Sequence, residues 1–431
     1  MTVYEIRSSP TTLGGAISIP ANGLRLLHRL GVYEDIRGGG SITPEIIFHQ
    51  ASGDGLLGRL DLVSGIRERT GFEFMRVKRT VLMDALLKAV QNAGDGMIEV
   101  RFGERVVDIH EDAPGTTVTA RFESGILDTA DLLVGCDGIH SAVRSLYVDP
   151  QGAPPEYSGV ASMSSLIKME TDLEGLHFTF TARGSMAVLP CVDSTTTTTT
   201  TKATKELFWF ITRPIPPPSS AAHARDGWNE HRAQEVQGFK NTAQAFVQDV
   251  QGDWGDFLRA VLDHTQSVNF YPIYRLPRDD GDGKGTVTAG DTRPWHRGRV
   301  VLVGDAAHAM SPHVGQGVSM ALEDVFLLVR VLGPGPGPGP GPSHHPQETS
   351  SLEDRLGRFE TIRKPRVGAM AEKAASNARA SKMKSAWQMA VLEWSLWAWL
   401  WKSWLFKGST TWGSSDDDLA YDIDEVDIHA A

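Results

Sequence analysis

The feature that most constrains this 431-residue chain is the run Arg299-Val-Val-Leu-Val-Gly304-Asp305-Ala-Ala-His308, continued by Pro312, Gly315-Gln316-Gly317 and Asp324. A string of β-branched and apolar residues makes a strand buried on both faces. The strand ends at a Gly-Asp pair, passes through a loop and enters a helix by way of two glycines. Glycines let a ligand approach the backbone closely, and free N–H groups at a helix start suit an anionic or electron-rich group. An acid at a strand end can accept hydrogen bonds from ligand hydroxyls. A tight strand–helix turn with a polar cap is the bland alternative, and the number of matching positions argues against it. Asp131-Leu-Leu-Val134-Gly135-Cys136-Asp137-Gly138, followed by Ser141 and Arg144, has the same plan. Alone it would pass for an ordinary turn between a strand and a helix.

Elsewhere the chain switches between strand and helix periodicities. Thr2 to Glu5 reads as the end of a strand, and Pro20 to Leu30 as a helix with Gly31 just past its end. The spacing predicts a hairpin over Ile46–Leu62 and a helix over Thr80–Asn92 with Leu82, Leu86, Leu87 and Val90 on one face. Strands follow at Ile98–Phe102, Arg105–Ile109, Thr117–Phe122 and Leu132–Val134. From about residue 155 to 275 the pattern is β-rich, at Ala161–Lys168, His177–Thr181, Met186–Leu189 and Leu207–Thr212. One helix, Asn241–Asp249, is expected within it. Val318–Leu332 and Ser351–Phe406 read as helical. A literal G-x-G-x-x-G at Gly53, Gly55 and Gly58 is rejected as a phosphate-binding turn, because Asp54-Gly55 is a hairpin dipeptide and Leu60 and Leu62 alternate like a strand. Thr195–Thr201 and the Gly-Pro pairs from Gly333 to Pro342 cannot pack a core and mark loop expansions.

Lys and Arg number 42 against 53 Asp and Glu, a net charge of -11, so no nucleic-acid partner is expected. Two cysteines, Cys136 and Cys191, cannot build a disulfide framework, which points to a reducing, cytoplasmic setting. The first residues carry no secretory signal, and no apolar run approaches the ~20 residues of a membrane span. No metal site is expected.

These residues resemble the flavin-dependent aromatic hydroxylases, the FAD monooxygenases typified by p-hydroxybenzoate and salicylate hydroxylases, with fungal secondary-metabolite members nearest. Gly304-Asp305, Pro312 and Gly315-Gln316-Gly317 look like that family's GD motif. Asp137-Gly138 with Arg144 looks like its DG motif, with Cys136 where alanine is common. The resemblance implies an α/β fold: a Rossmann-like FAD-binding domain, an inserted β-rich substrate domain of α+β type and a helical C-terminus. It implies FAD as cofactor, NAD(P)H as reductant, and O2 with a small organic molecule as partners. Glu5 would take the adenosine ribose, Arg79 the phosphates, and Asp305 the ribityl chain. Gly315, Gly317 and Val318 would fix the flavin through their backbone, and Asp137 and Arg144 would support the FAD and nicotinamide side. Gly15 and Ala16, ahead of Pro20-Asn22-Gly23, match the family's next segment.

One departure is large. The chain starts where the family's second strand ends, so roughly 30 residues are missing, including the strand–GxGxxG–helix unit that holds the pyrophosphate. The neighbours of that absent strand are expected to expose apolar faces and unpaired backbone groups. An incomplete gene is favoured over a damaged one, because every later motif is intact. The expected parts are residues 1–154 and 276–332 for the FAD-binding domain and 155–275 for the substrate domain. A Gly/Pro-rich loop (333–350), C-terminal helices (351–407) and a solvated acidic tail (408–431) follow.

No catalytic residue is identified. Phe208 stands where a tyrosine would be sought. Arg183 and Arg213 are more often surface residues than substrate contacts, and His308 and His313 more often structural. Trp394, Trp397, Trp401 and Trp404 follow helical spacing. Core packing is favoured for them over a membrane-surface stripe. Two other functions stay open: a non-catalytic flavoprotein remnant, and a flavin dehydrogenase that inserts no oxygen.

Overall fold

The structure, a computed structural model, describes residues 1–10, 15–51, 55–94, 96–113, 115–192, 203–218, 224–277, 293–333, 350–380, 385–406 and 415–428. The threonine run, all but the first glycine of the Gly-Pro pairs, and the turn at 52–54 lie outside them. The fold is α/β, with a β-rich half set against a parallel-stranded half.

In the parallel half, the expected strand of residues 299–303 forms at Val300–Leu302 and pairs in parallel with Leu133–Gly135. Val300, Val301 and Leu302 are completely buried beneath the helices Gly317–Leu332 and Leu352–Ala380, as an apolar run of this kind requires. Thr2–Glu5 pairs in parallel with Glu99–Phe102 as a separate two-stranded sheet. The two parallel pairs do not join, and Val134, on the outer strand of one, is 43% exposed.

In the β-rich half, seven strands form one sheet in the order Asn269–Arg275, Glu156–Thr171, Ala203–Pro214, Gly184–Val192, Leu176–Thr181, Glu45–His49 and Leu56–Asp61. The hairpin read from Ile46 to Leu62 therefore belongs to this sheet, joined in parallel through Leu176–Thr181. Side chains alternate across a strand, and Leu207 to Thr212 follows that rule. Leu207, Trp209 and Ile211 pack under helices, while Phe208, Phe210 and Thr212 face a cavity. Three helices cover the first face, Ala224–Gln237, Phe239–Val247 and Gly252–Asp263, where the periodicity had predicted one. The polar face of Ala224–Gln237 hid its period, and Gly252 and Gly255 hid that of Gly252–Asp263.

Two expectations for the C-terminal region are corrected. In the helix Ala386–Phe406 it is Leu396 and Leu400 that pack on Phe48, Leu60 and Phe180. Trp394, Trp397 and Trp401 are 69%, 49% and 52% exposed, so the indole stripe faces outward; the Trp404 side chain lies outside the described ones. Leu396 and Leu400 share a helical face that the more numerous tryptophans masked. Among the described residues no helix is long and apolar enough to cross a membrane. The acidic segment, expected to be a solvated tail, docks instead. Its helix Asp416–Ala420 is capped by Ser415, and Leu419 and Ile423 are buried. Asp422 meets Arg25 at 2.6 Å and Arg29 at 2.9 Å. Basic residues on the Ala21–Arg29 helix supply the partners that the tail's own sequence lacks.

On the helix-covered face of the large sheet, His49 Nε2 lies 2.8 Å from His177 Nδ1, and both rings stack on Trp254. Burial pulls the His49 pKa down to about 3 and the His177 pKa to about 4. An unfolded chain takes up these protons near the ordinary histidine pKa, whereas the folded one resists. Stability is therefore complete above that value and falls as pH drops toward 4. Urea unfolding at pH 7.5 and pH 5 should give a clearly lower midpoint at pH 5. The double replacement His49→Phe with His177→Phe should flatten that dependence.

Candidate active site

The loop that begins at Gly304 is shaped by a buried ionic network. Gly304 has φ 59°, in the left-handed region that glycine enters freely, and donates its N–H to Asp324 Oδ2 at 2.8 Å. His308 Nε2 contacts the same oxygen at 2.6 Å, and Arg363 Nε donates to Asp324 Oδ1 at 2.8 Å. Arg363 also donates to Glu323 Oε2 at 2.9 Å, and Arg366 grips both Glu323 oxygens at 2.8 Å. Asn22 Nδ2 links Glu323 Oε1 to Gln316 Oε1. Burial alone would raise the Asp324 pKa, but His308 and Arg363 outweigh it and hold it down to about 2. Both carboxylates are thus buried and paired, and their helix is clamped from two sides.

From this clamped base the loop runs along a cavity of about 1330 Å³. Gly315, at φ 65°, and Gly317 stand on its wall, and a Cβ on either would meet nothing within 4 Å. Among the described residues no side chain caps the start of the Gly317–Leu332 helix, so its first N–H groups are presented to the cavity beside Val318. Asp305 also faces the cavity and makes no hydrogen bond to the described residues. Enclosure by protein raises its pKa, against opposite pulls from His308 and Arg79. Glu5, Gly15, Ala16 and Arg79 complete this side of the wall. The Glu5 carboxylate accepts from Arg7 N at 2.9 Å, fixing its orientation.

The structure brings eight of the ten sequence-derived site residues to one cavity and leaves two off its wall. Asp137 accepts from Ser141 Oγ at 2.5 Å and from the backbone of Ala142 and Val143, so it holds the lead-in to the helical turn Arg144–Val148. Arg144 donates to the carbonyls of Ile139 and Ala306, both at 2.6 Å. It ties the Asp137 loop to the Asp305 loop. Arg213 is neutralised by Glu235 at 2.6 Å and Arg183 lies 3.7 Å from Asp249, so neither is a free cation on the cavity. His313 is kept neutral by burial, which lowers its pKa to about 4, and its Nδ1 sits 2.5 Å from Ser311 Oγ.

Another part of the wall is aromatic and comes from the large sheet, through Phe178, Phe180, Phe208 and Phe210, with the Ser164–Tyr271 hydroxyl pair (2.8 Å) also lining the cavity. Phe208 also explains Gly15, since a Cβ there would lie 2.3 Å from the Phe208 ring. Sequence reasoning missed Arg363, Glu323 and Arg76. Arg363 and Glu323 sit in ordinary amphipathic helices, and nothing local distinguishes a buried arginine from a solvated one.

Residues 2–204 and 285–334, more than half of the chain, match the FAD binding domain family. The chain belongs to that family. FAD is its cofactor, and the chain is an FAD-dependent monooxygenase. It is 26% identical over 379 residues to the FAD-dependent monooxygenase penM of Penicillium crustosum, covering 85% of this chain and 70% of that protein. It is 26% identical over 341 residues to the 6-hydroxynicotinate 3-monooxygenase of Pseudomonas fluorescens, covering 77% and 75%. Its fold is that of HpxO from Klebsiella pneumoniae, solved with FAD and uric acid, at a TM-score of 0.70 and 20% identity over 97% of this chain and 90% of that one. The wall suits FAD on its own evidence: a free acid for hydroxyls, open glycine backbone and an uncapped helix start for an electron-rich ring edge, and a cation at Arg79 for phosphate.

The network sets a stability test. Arg363→Leu removes the shared partner of two buried carboxylates, and breaking a buried pair in this way costs about 3–5 kcal/mol. Urea denaturation of the variant should show that loss.

Proposed function

We propose that the chain uses NAD(P)H and O2 to hydroxylate or epoxidise a small organic substrate, in secondary-metabolite biosynthesis within the reducing cell interior. One observation carries the reading: a single cavity runs from the glycine-rich loop at 304–317 to the aromatic face of the large sheet. Bound FAD supplies the redox chemistry, accepting electrons from the nicotinamide and activating oxygen. The protein's part is to hold, orient and exclude water.

In this reading Asp305 accepts from ribityl hydroxyls, Glu5 from the adenosine ribose, and Arg79 faces the phosphates. Gly15, Ala16, Gly315, Gly317 and Val318 offer close backbone approach. Asp137 and Arg144 act one step back, by holding the loop that carries Asp305. The phenyl rings keep water from the reacting end, and the Ser164–Tyr271 pair offers hydrogen bonds to a polar group of the substrate. The relatives penM and 6-hydroxynicotinate 3-monooxygenase support the reaction class, and the fungal relative supports the secondary-metabolic setting. The free cysteines Cys136 and Cys191 are consistent with a reducing interior.

Purified protein tests the reading by its flavin spectrum and by oxygen consumption with NADH or NADPH. A yellow protein that consumes oxygen and forms an oxygenated product is the expected result. A colourless protein that cannot be reconstituted would make it a remnant, and flavin reduction without oxygen insertion would make it a dehydrogenase. Asp305→Ala should weaken FAD binding by roughly tenfold or more, since a charge-assisted hydrogen bond contributes about 1.5–3 kcal/mol. Fluorescence titration with FAD measures it.

A further inference from the structure

Arg76 lies on the strand Met75–Lys78, lines the cavity and is 5% exposed. Its guanidinium makes no hydrogen bond or ion pair with the described residues, and its Nε is fully enclosed without an acceptor. A buried, unpaired charge is costly, and natural structures tolerate one chiefly where something else completes it.

The surroundings do not complete it. The neighbour that acts on Arg76 electrostatically is Cys191, whose thiol burial pushes up to about 12, so it stays neutral. Leu189, Cys191 and Phe208 form an apolar cluster with Leu166 and Leu176. The nearby acid Glu206 is taken by Lys78 at 2.8 Å. Burial lowers the Arg76 pKa to about 10, which still leaves the group charged at neutral pH. Ser18 and Ser41, its strand partners, bring no charge. The other arginines considered for substrate, Arg183 and Arg213, have carboxylate partners of their own.

We propose that Arg76 is the specificity-determining cation of the substrate pocket, and that the substrate is an organic acid with a flat apolar body whose carboxylate it binds. The inference rests on the monooxygenase reading for the word substrate. The planar guanidinium fork matches a carboxylate in two parallel hydrogen bonds. Phe74, Phe178, Phe208 and Phe210 supply apolar faces in the same cavity. Cys191, Leu189 and Phe208 belong to the large sheet, so the charge stands where the aromatic face of that sheet meets the paired strands Ala16–Ile19 and Met75–Lys78.

The test is calorimetric titration of the full FAD-loaded chain with benzoate, 1-naphthoate and 4-phenylbenzoate, each against its neutral amide. At least one acid should bind roughly 10- to 100-fold more tightly than its amide. Arg76→Met should abolish that preference while leaving amide and FAD affinities within about twofold, and Arg76→Lys should restore part of it. If no acid is preferred by the wild-type protein, or if Arg76→Met keeps the preference, the proposal is overturned. A shift of the flavin midpoint potential in Arg76→Met with acid preference intact would overturn it too, by giving the charge to the flavin. Should Arg76→Met not fold, the wild-type comparison and Arg76→Lys decide alone. Heat of binding needs no turnover, so an acid preference without oxygen insertion would sink the reaction class and leave this site standing.

Discussion

The arrangement depends on two adjacent carboxylates, Glu323 and Asp324, buried and paired in the protein interior. Each is worth its desolvation only because its hydrogen-bonding capacity is filled. Asp324 receives Gly304 N–H, His308 and Arg363; Glu323 receives Arg363, Arg366 and Asn22. A half-satisfied network of this kind would be worse than an apolar core, and a complete one admits very little movement. Three segments far apart in the chain, at residue 22, at 304–324 and at 363–366, are thereby fixed to one another. The left-handed turn at Gly304 and the orientation of Asp305 follow from that fixation.

The same network accounts for how the two sequence motifs cooperate. Arg144 does not touch the cavity, yet it donates to the carbonyl of Ala306, inside the loop that the Asp324 network anchors from the other side. Asp137 holds the start of the turn that carries Arg144. A chain of hydrogen bonds therefore runs from one Gly/Asp turn to the other without a ligand. A motif read as a binding residue can serve binding by position alone, and residue type cannot separate these cases.

Strand and helix existence was legible wherever periodicity was strong, as in Val300–Leu302, Gly317–Leu332 and Leu207–Thr212. The glycine-rich loop was legible for a different reason: glycines, an acid and a helix start in fixed order have few other uses. What the sequence hid were relations between distant segments. The docking of Leu419 and Ile423 depends on the Ala21–Arg29 and Ser64–Thr70 helices, and its ion pairs on Arg25 and Arg29. The outward face of the tryptophan helix was misjudged because tryptophan outweighs leucine in any one-dimensional hydrophobic count. Burial is decided by shape, and Gly58 leaves room for Leu400, as a Cβ there would lie 2.7 Å from the Leu400 side chain.

The two halves of the molecule approach closely at Gly15 and Phe208. A side chain at residue 15 would enter the phenyl ring, so the loop ahead of the strand Ala16–Ile19 can approach the large sheet only because it carries a hydrogen there. The strand Met75–Lys78 pairs with Ala16–Ile19, which brings Arg76 to the same junction. Packing between the halves thus delivers both an aromatic wall and a charged group to the cavity that the clamped glycine loop also lines. The period-2 alternation of Leu207–Thr212 makes this possible: the residues that build the sheet's core and the residues that face the ligand occupy the same strand. Changes on the cavity face can therefore alter what is bound without disturbing Trp209, whose Nε1–H is held by Thr265 at 2.9 Å beneath the sheet.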